Sequence, residues 1–220
     1  MSEKSLKFKT AFKYPFNNPS RMFYILWIIV PAIILILSVA FSFTIDYMTF
    51  LVPAIIASAA LIVAAVALFG YGIEIIKHFI KGDFKELPKM EFGKHLKLGF
   101  FMFLKFIPFI IIISIINIVL IFIPVIGVLA SWFISLLVAP ILIINFFNKE
   151  TIESYFEVEI IRAVFEDFEE YIIALLKSLA LAVIFMLMSL ILVGIPARAF
   201  TQNIFIADFY RRFVKKNGGK

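Results

Sequence analysis

Few side chains in this 220-residue chain could do chemistry, and those that could stand at the ends of apolar runs. Glu74 and His78 close one such run, Asn145 nearly closes another, and Asp208 and Arg211 lie in a half-polar stretch near the C-terminus. An ionisable side chain at the centre of a spanning helix costs about 2.5–3.5 kcal/mol by insertion scales, so such residues often serve transport or binding. Glu74/Lys77, Asn145/Asn148 and Asp208/Arg211 each set one polar residue three positions before another, one helical turn away. Two readings follow. Glu74, His78, Asn145, Asp208 and Arg211 could line a polar vestibule where repeated units converge. Alternatively they are boundary pairs, Glu74 with Lys77 or His78 and Asp208 with Arg211 or Arg212, relieved further by snorkelling. Asn117, Asn145, Gln202 and Asn203, read as buried amides, divide the same way, between interhelical hydrogen bonds and a substrate path.

Catalytic chemistry finds no support. The chain has no HExxH, no GxSxG, no phosphate-cradling glycine loop, and no histidine–carboxylate pairing with useful spacing. It lacks cysteine, so disulfides, thiolate metal sites and cysteine nucleophiles are excluded. His78 and His95 are the only histidines, and their spacing suits no metal. No enzyme activity, catalytic residue, cofactor or metal is therefore expected.

The elements that must position these residues are membrane spans. Residues 106–123, FIPFIIIISIINIVLIFI, carry no charge, and residues 99–104 extend them upstream. A bilayer core of about 30 Å needs roughly 20 apolar residues in a helix, so this run is long enough to cross. The whole chain is 63% hydrophobic and 16% charged, far from the roughly 25% charged residues of soluble domains. Further runs cover 22–44, 50–76, 128–147 and 179–195, with 196–213 ambiguous.

Charge resolves that ambiguity. If 196–213 crosses back, twenty of the twenty-one lysines and arginines share one side and only Arg198 lies across. The expectation is an all-α polytopic helix bundle in the cell membrane, forming one integral domain over 1–220, with six transmembrane segments as three hairpins and both termini cytoplasmic. Each hairpin is preceded by an interfacial amphipathic helix, so the units repeat over roughly 5–81, 91–149 and 152–216. Asp46 and Arg198, the only charges expected outside, form a candidate ion pair tying the first hairpin to the third.

The surface segments differ in sign. Residues 1–21 carry five basic and one acidic side chain, 77–105 seven and three, but 148–177 three and eight. The net charge of +6 thus reads as positive-inside bias and not as nucleic-acid binding. The basic segments suit the lipid bilayer's anionic headgroups. The acidic helix 153–170, repelled by those headgroups, should dock on basic neighbours or face a protein partner.

Ala11-Phe12-Lys13-Tyr14-Pro15-Phe16 before the first span, Gly70-Tyr71 near the end of the second, and Gly82 followed by Leu87-Pro88 form a pattern, with an amphipathic segment entering the fifth span. In these features the chain resembles a mainly archaeal multi-pass membrane family, domain of unknown function (DUF) 4013. The resemblance implies location and architecture and brings no mechanism. The reading of function is an integral membrane protein acting as a non-enzymatic scaffold or accessory subunit through its charged cytoplasmic face. The alternative is a small transporter or channel-like subunit with a polar vestibule at the repeat interface.

Overall fold

A computed structural model describes residues 5–42, 47–123 and 125–216, and these are mainly helical, with a loop between residues 82 and 91 and no strand among them. Helix α1 (Phe8–Lys13) is followed by 3₁₀ turns at Tyr14–Asn17 and Pro19–Ile25, then by α2 (Leu26–Ser42), α3 (Tyr47–Lys81) and α4 (Phe92–Ile121). Next come α5 (Ile126–Phe133), a π turn at Ile134–Val138, and α6 (Ala139–Lys149). The wide turn precedes Pro140, which has no N–H to donate and crowds the carbonyl four residues back. After a 3₁₀ turn at Ile152–Phe156 the chain forms α7 (Val158–Glu166), α8 (Phe168–Met188), α9 (Gly194–Thr201) and α10 (Ile204–Lys216).

Among the described residues, five helices are long and apolar enough to cross a membrane: Pro19–Ser42, Thr49–Lys81, Phe92–Ile121, Ile126–Lys149 and Phe168–Met188. In the most apolar windows of the first and third, only 6% of residues are buried. Ile110, Ile111, Ile115, Ile118 and Val119 of α4 all face outward. Water would drive such a surface to aggregate, whereas lipid solvates it. This is a membrane protein.

The buried core gathers at the end where α3 and α6 finish and α4 begins. Tyr71, Phe79, Ile141, Phe146, Phe209 and Tyr210 are closed off from the surroundings there. Helices α3, α6 and α10, the returning limbs of the three expected units, pack against one another in pairs. The last limb differs from the others. It breaks at Gln202 and Asn203, and α10 then buries eight consecutive residues, Ile204 to Arg211, among α3, α6 and α8.

The three segments that precede the hairpins are built differently from one another. The N-terminal segment packs its apolar face onto other parts of the chain. Leu6, Ala11 and Tyr14 are buried, Phe8 stacks on Phe205, Phe12 on Phe185, and Tyr14 meets Phe79 edge-on. Aromatic partners inside the protein offer this face more than acyl chains do, while Lys7, Lys9 and Lys13 remain exposed. The second segment is the first turns of α4 itself, one continuous helix of 30 residues. The third segment, α7, is a separate amphipathic helix, and it has three sides. Ile160, Ala163 and Val164 face the core, Val158 and Phe165 are exposed on one flank, and Glu159 and Glu166 on the other. That division of core, apolar and charged sides is what a helix at a membrane boundary needs.

Outside the spans, burial pushes the phenol groups of Tyr14 and Tyr155 well above their ordinary range. Neither hydroxyl finds a partner among the described residues, so both contribute chiefly through their rings.

Candidate functional site

The candidate residues stand in three polar clusters built around the ends of α3, α6 and α10. In the first, α3 and α4 approach so closely that a Cβ added at Gly70 would sit 2.0 Å from the His95 carbonyl oxygen. One turn further along α3, Glu74 reaches across this contact. His95 Nε2 lies 2.6 Å from Glu74 Oε2, and Lys94 Nζ lies 3.1 Å from the same carboxylate. His95 is fully buried, and its Nδ1 accepts the Glu91 backbone N–H at 3.0 Å. With Nδ1 occupied as an acceptor, Nε2 carries the proton and donates it to Glu74.

His78 turns towards Asp83, at 3.2 Å, and is 3.9 Å from Glu74. Lys77 pairs with Glu150, which follows α6 in the left-handed backbone region at φ 57°. Of the two partners expected for Glu74 on its own helix, Lys77 turns to Glu150 instead, while His78 keeps the 3.9 Å contact. No local pattern announces the Glu74–His95 bond, because the loop between the helices separates the two in sequence.

The second cluster centres on Asn145 of α6, which is fully buried. Its Nδ2 donates to the Ser154 carbonyl at 2.7 Å and to Glu157 at 3.0 Å, and its Oδ1 accepts the Tyr210 hydroxyl at 2.7 Å. Its hydrogen-bonding groups are thus occupied, and α6 is fastened to both α7's approach and α10.

In the third, Asp208 of α10 is 2% exposed and holds three donors. The Leu6 backbone N–H reaches it at 2.8 Å, Arg211 at 2.8 Å and Arg212 at 3.3 Å. These arginines are the partners the spacing suggests, i+3 and i+4. Arg211 also lies over the Phe84 ring, its guanidinium carbon 5.3 Å from the centroid. Arg212 continues outward to Glu170 of α8.

These clusters occupy different spaces. Glu74 and His78 line a groove of about 540 Å³, Asp208 lines another of about 450 Å³, and Asn145 lines neither. Asn117 makes the interhelical bond expected of an intramembrane amide, accepting from Ser131 of α5 at 2.6 Å. Gln202, expected to be buried, is exposed at the break between α9 and α10. Arg198 borders a small pocket of about 160 Å³ with Ser178, Thr201 and Gln202. Its expected partner Asp46 lies outside the described residues. Among the described residues, no group of three potential metal ligands comes together.

His95, Glu150, Glu157 and Tyr210 are the residues that sequence reasoning passed over. Their importance comes from side chains on other elements, and only His95 carries a local hint, four positions before the close-packed Gly99.

No curated protein and no solved structure matches the chain. A family profile matches residues 53–194, from the first turns of α3 to the start of α9. That is well over half of the chain, and it includes the first cluster and, of the second, Asn145, Ser154 and Glu157 but not Tyr210. The chain belongs to the family described as protein of unknown function (DUF4013).

Proposed function

We propose that the protein is a non-enzymatic scaffold or accessory subunit of the cell membrane, whose cytoplasmic face presents an acidic surface to a protein partner. The carrying observation is how the candidate polar residues are occupied. Glu74 and Asn145 turn their hydrogen-bonding groups onto neighbouring helices, and Asp208 holds the N-terminal segment and two arginines of its own helix, so all three act as ties within the fold. Such ties support a rigid platform better than a path for solutes.

The acidic stretch then divides in two. Glu150, Glu157, Asp167 and Glu170 pair with Lys77, Lys149, Lys216 and Arg212 of the same chain. Glu153, Glu159, Glu166 and Glu169 are exposed and suit a basic partner segment. Converting these four to glutamine leaves the fold intact, because exposed substitutions of this kind typically change stability by within about 0.5 kcal/mol. It abolishes salt-sensitive co-purification of the partner from native membranes. A partner retained at full yield by the quadruple variant would remove the acidic face from the mechanism.

The same reading takes six membrane segments with both termini cytoplasmic. It is supported by the packing of α9 and α10 along α8, which shields a half-polar segment from lipid, and by the placement of lysine and arginine. Because the chain lacks cysteine, single cysteines introduced at Lys9 and Lys215 report topology directly. Both are protected from a membrane-impermeant maleimide in intact cells and react after permeabilisation. Labelling of only the C-terminal cysteine from outside would refute the even number of crossings.

A further inference from the structure

The groove beside Glu74 has a composition that the acidic-face reading does not use. Its volume is about 540 Å³, and its walls are the end of α3 and the beginning of α4. Lys77 and Lys81 come from α3, Lys94, Lys97 and Lys105 from α4, and Glu150 closes one side. On α4 the wall residues 94, 97, 98, 101 and 105 follow helical spacing, so Leu98 and Phe101 stand among the lysines on one stripe.

The charges do not balance. Among the described residues, Glu74 and Glu150 are the only carboxylates on these walls, against five lysines. Glu74 holds Lys94, while Glu150 holds Lys77 by its carboxylate and Lys105 by its backbone carbonyl at 2.7 Å. Lys81 and Lys97 are exposed and have no acidic partner among the described residues. Ammonium groups gathered round one space repel each other, and a bound anion converts that repulsion into attraction.

Position narrows the anion. Beyond Lys105, α4 carries no further charge up to Ile121. Phe100, Phe101, Phe103 and Leu104 are 44–50% exposed, so the groove lies where the charged end of the bundle meets its lipid-facing surface. A soluble phosphate would use the lysines alone. A lipid would use the lysines for its headgroup and the exposed apolar wall for the first part of its chains. Basic pockets between helices at this depth are suited to anionic headgroups, and lysine stems can lie along the apolar wall while their heads reach the phosphate.

We propose that the α3–α4 groove is a binding site for an anionic phospholipid, with its phosphate among Lys81, Lys94 and Lys97 and its chains against Leu98 and Phe101. The site is independent of the partner assigned to the acidic face, since it shares neither of the variants that test them.

The test uses the full-length protein in a neutral detergent, titrated with phosphatidylglycerol or phosphatidylcholine and read by native mass spectrometry. The protein retains phosphatidylglycerol in preference to phosphatidylcholine. The double variant Lys81→Ala/Lys97→Ala weakens phosphatidylglycerol binding about twenty-fivefold, taking each lysine near an anionic headgroup at about a fivefold effect. A matched control, Arg162→Ala/Lys215→Ala, removes the same charge from exposed positions outside the groove and outside the basic segments, and leaves the affinity unchanged. Equal losses in the two double variants, or no preference between the lipids, would overturn the proposal. Displacement of the lipid by millimolar inorganic phosphate would also overturn it, assigning the groove to a free anion.

Discussion

Asp208→Ala lowers the stability of the folded protein by about 3–5 kcal/mol, the usual consequence of removing one partner from a buried ion pair. The carboxylate accepts from Leu6, Arg211 and Arg212, and those donors come from two parts of the chain far apart in sequence. Its loss leaves Arg211, 6% exposed, without its 2.8 Å carboxylate, and removes the acceptor that fixes the N-terminal segment. Phe8 then loses its anchored position against Phe205, so α1 and α10 loosen together. Asp208→Asn keeps one of the two oxygen acceptors and loses the charge, and costs less, about 1–3 kcal/mol. Thermal unfolding in detergent, compared across the two variants, measures the difference. An alanine variant that melts with the wild type would show that α10 is held by apolar packing alone. The transport reading needs a different variant, since loss of Asp208 confounds flux with folding. Glu74→Gln serves there: the Glu74 side chain is 17% exposed at the groove edge, and the amide preserves hydrogen bonding to His95. A changed solute flux in proteoliposomes with this variant would favour the vestibule over the scaffold.

Gly70→Ala and Gly99→Ala each prevent α3 and α4 from closing, with a loss of about 1–3 kcal/mol or more. The physical cause is backbone against backbone. A Cβ at Gly70 meets the His95 oxygen at 2.0 Å, and one at Gly99 meets the Val66 oxygen at 2.0 Å. Neither oxygen can rotate away as a side chain would, so the helices must separate. Small residues at such crossings let two helices gain dispersion contacts that lipid would otherwise supply less well. Separation also withdraws Glu74 from His95 and widens the basic groove. Gly72→Ala and Gly93→Ala are the internal controls, because a Cβ at either position meets nothing within 4 Å. They should be tolerated, or stabilising by up to about 1 kcal/mol through helix propensity. Folded yield after detergent extraction separates the two pairs. Equal tolerance at all four positions would show that the close crossing is not required. Because Gly70 and Gly99 serve one contact, the double variant costs much less than the sum of the singles.

The legibility of the candidate site follows from distance along the chain. Asp208 with Arg211 and Arg212 could be read from spacing, since partners three and four residues apart share one helix face whatever surrounds them. Glu74 invited the same reading towards Lys77, yet the close α3–α4 crossing brings Lys94 and His95 nearer. The amphipathic pattern of the N-terminal segment was also readable, but a greasy face does not state what it will touch. Lipid and a cluster of phenylalanines satisfy it equally in sequence terms, and the structure selects Phe185 and Phe205. Likewise the excess acid on residues 148–177 was plain, while its division into paired and free carboxylates depends on where Lys77, Arg212 and Lys216 arrive.

By itself the sequence determined the solvent of this protein and its helical class. Long uncharged runs cannot leave backbone groups unsatisfied in lipid, so they must be helices, and hydropathy is a local property that survives any rearrangement of partners. Tertiary structure alone decided which polar groups answer one another. A hydrogen bond such as that from His95 to Glu74 is a property of two helices meeting, and no composition of either one contains it. The same holds for the buried α10, half polar in sequence and enclosed only because α3, α6 and α8 converge around it.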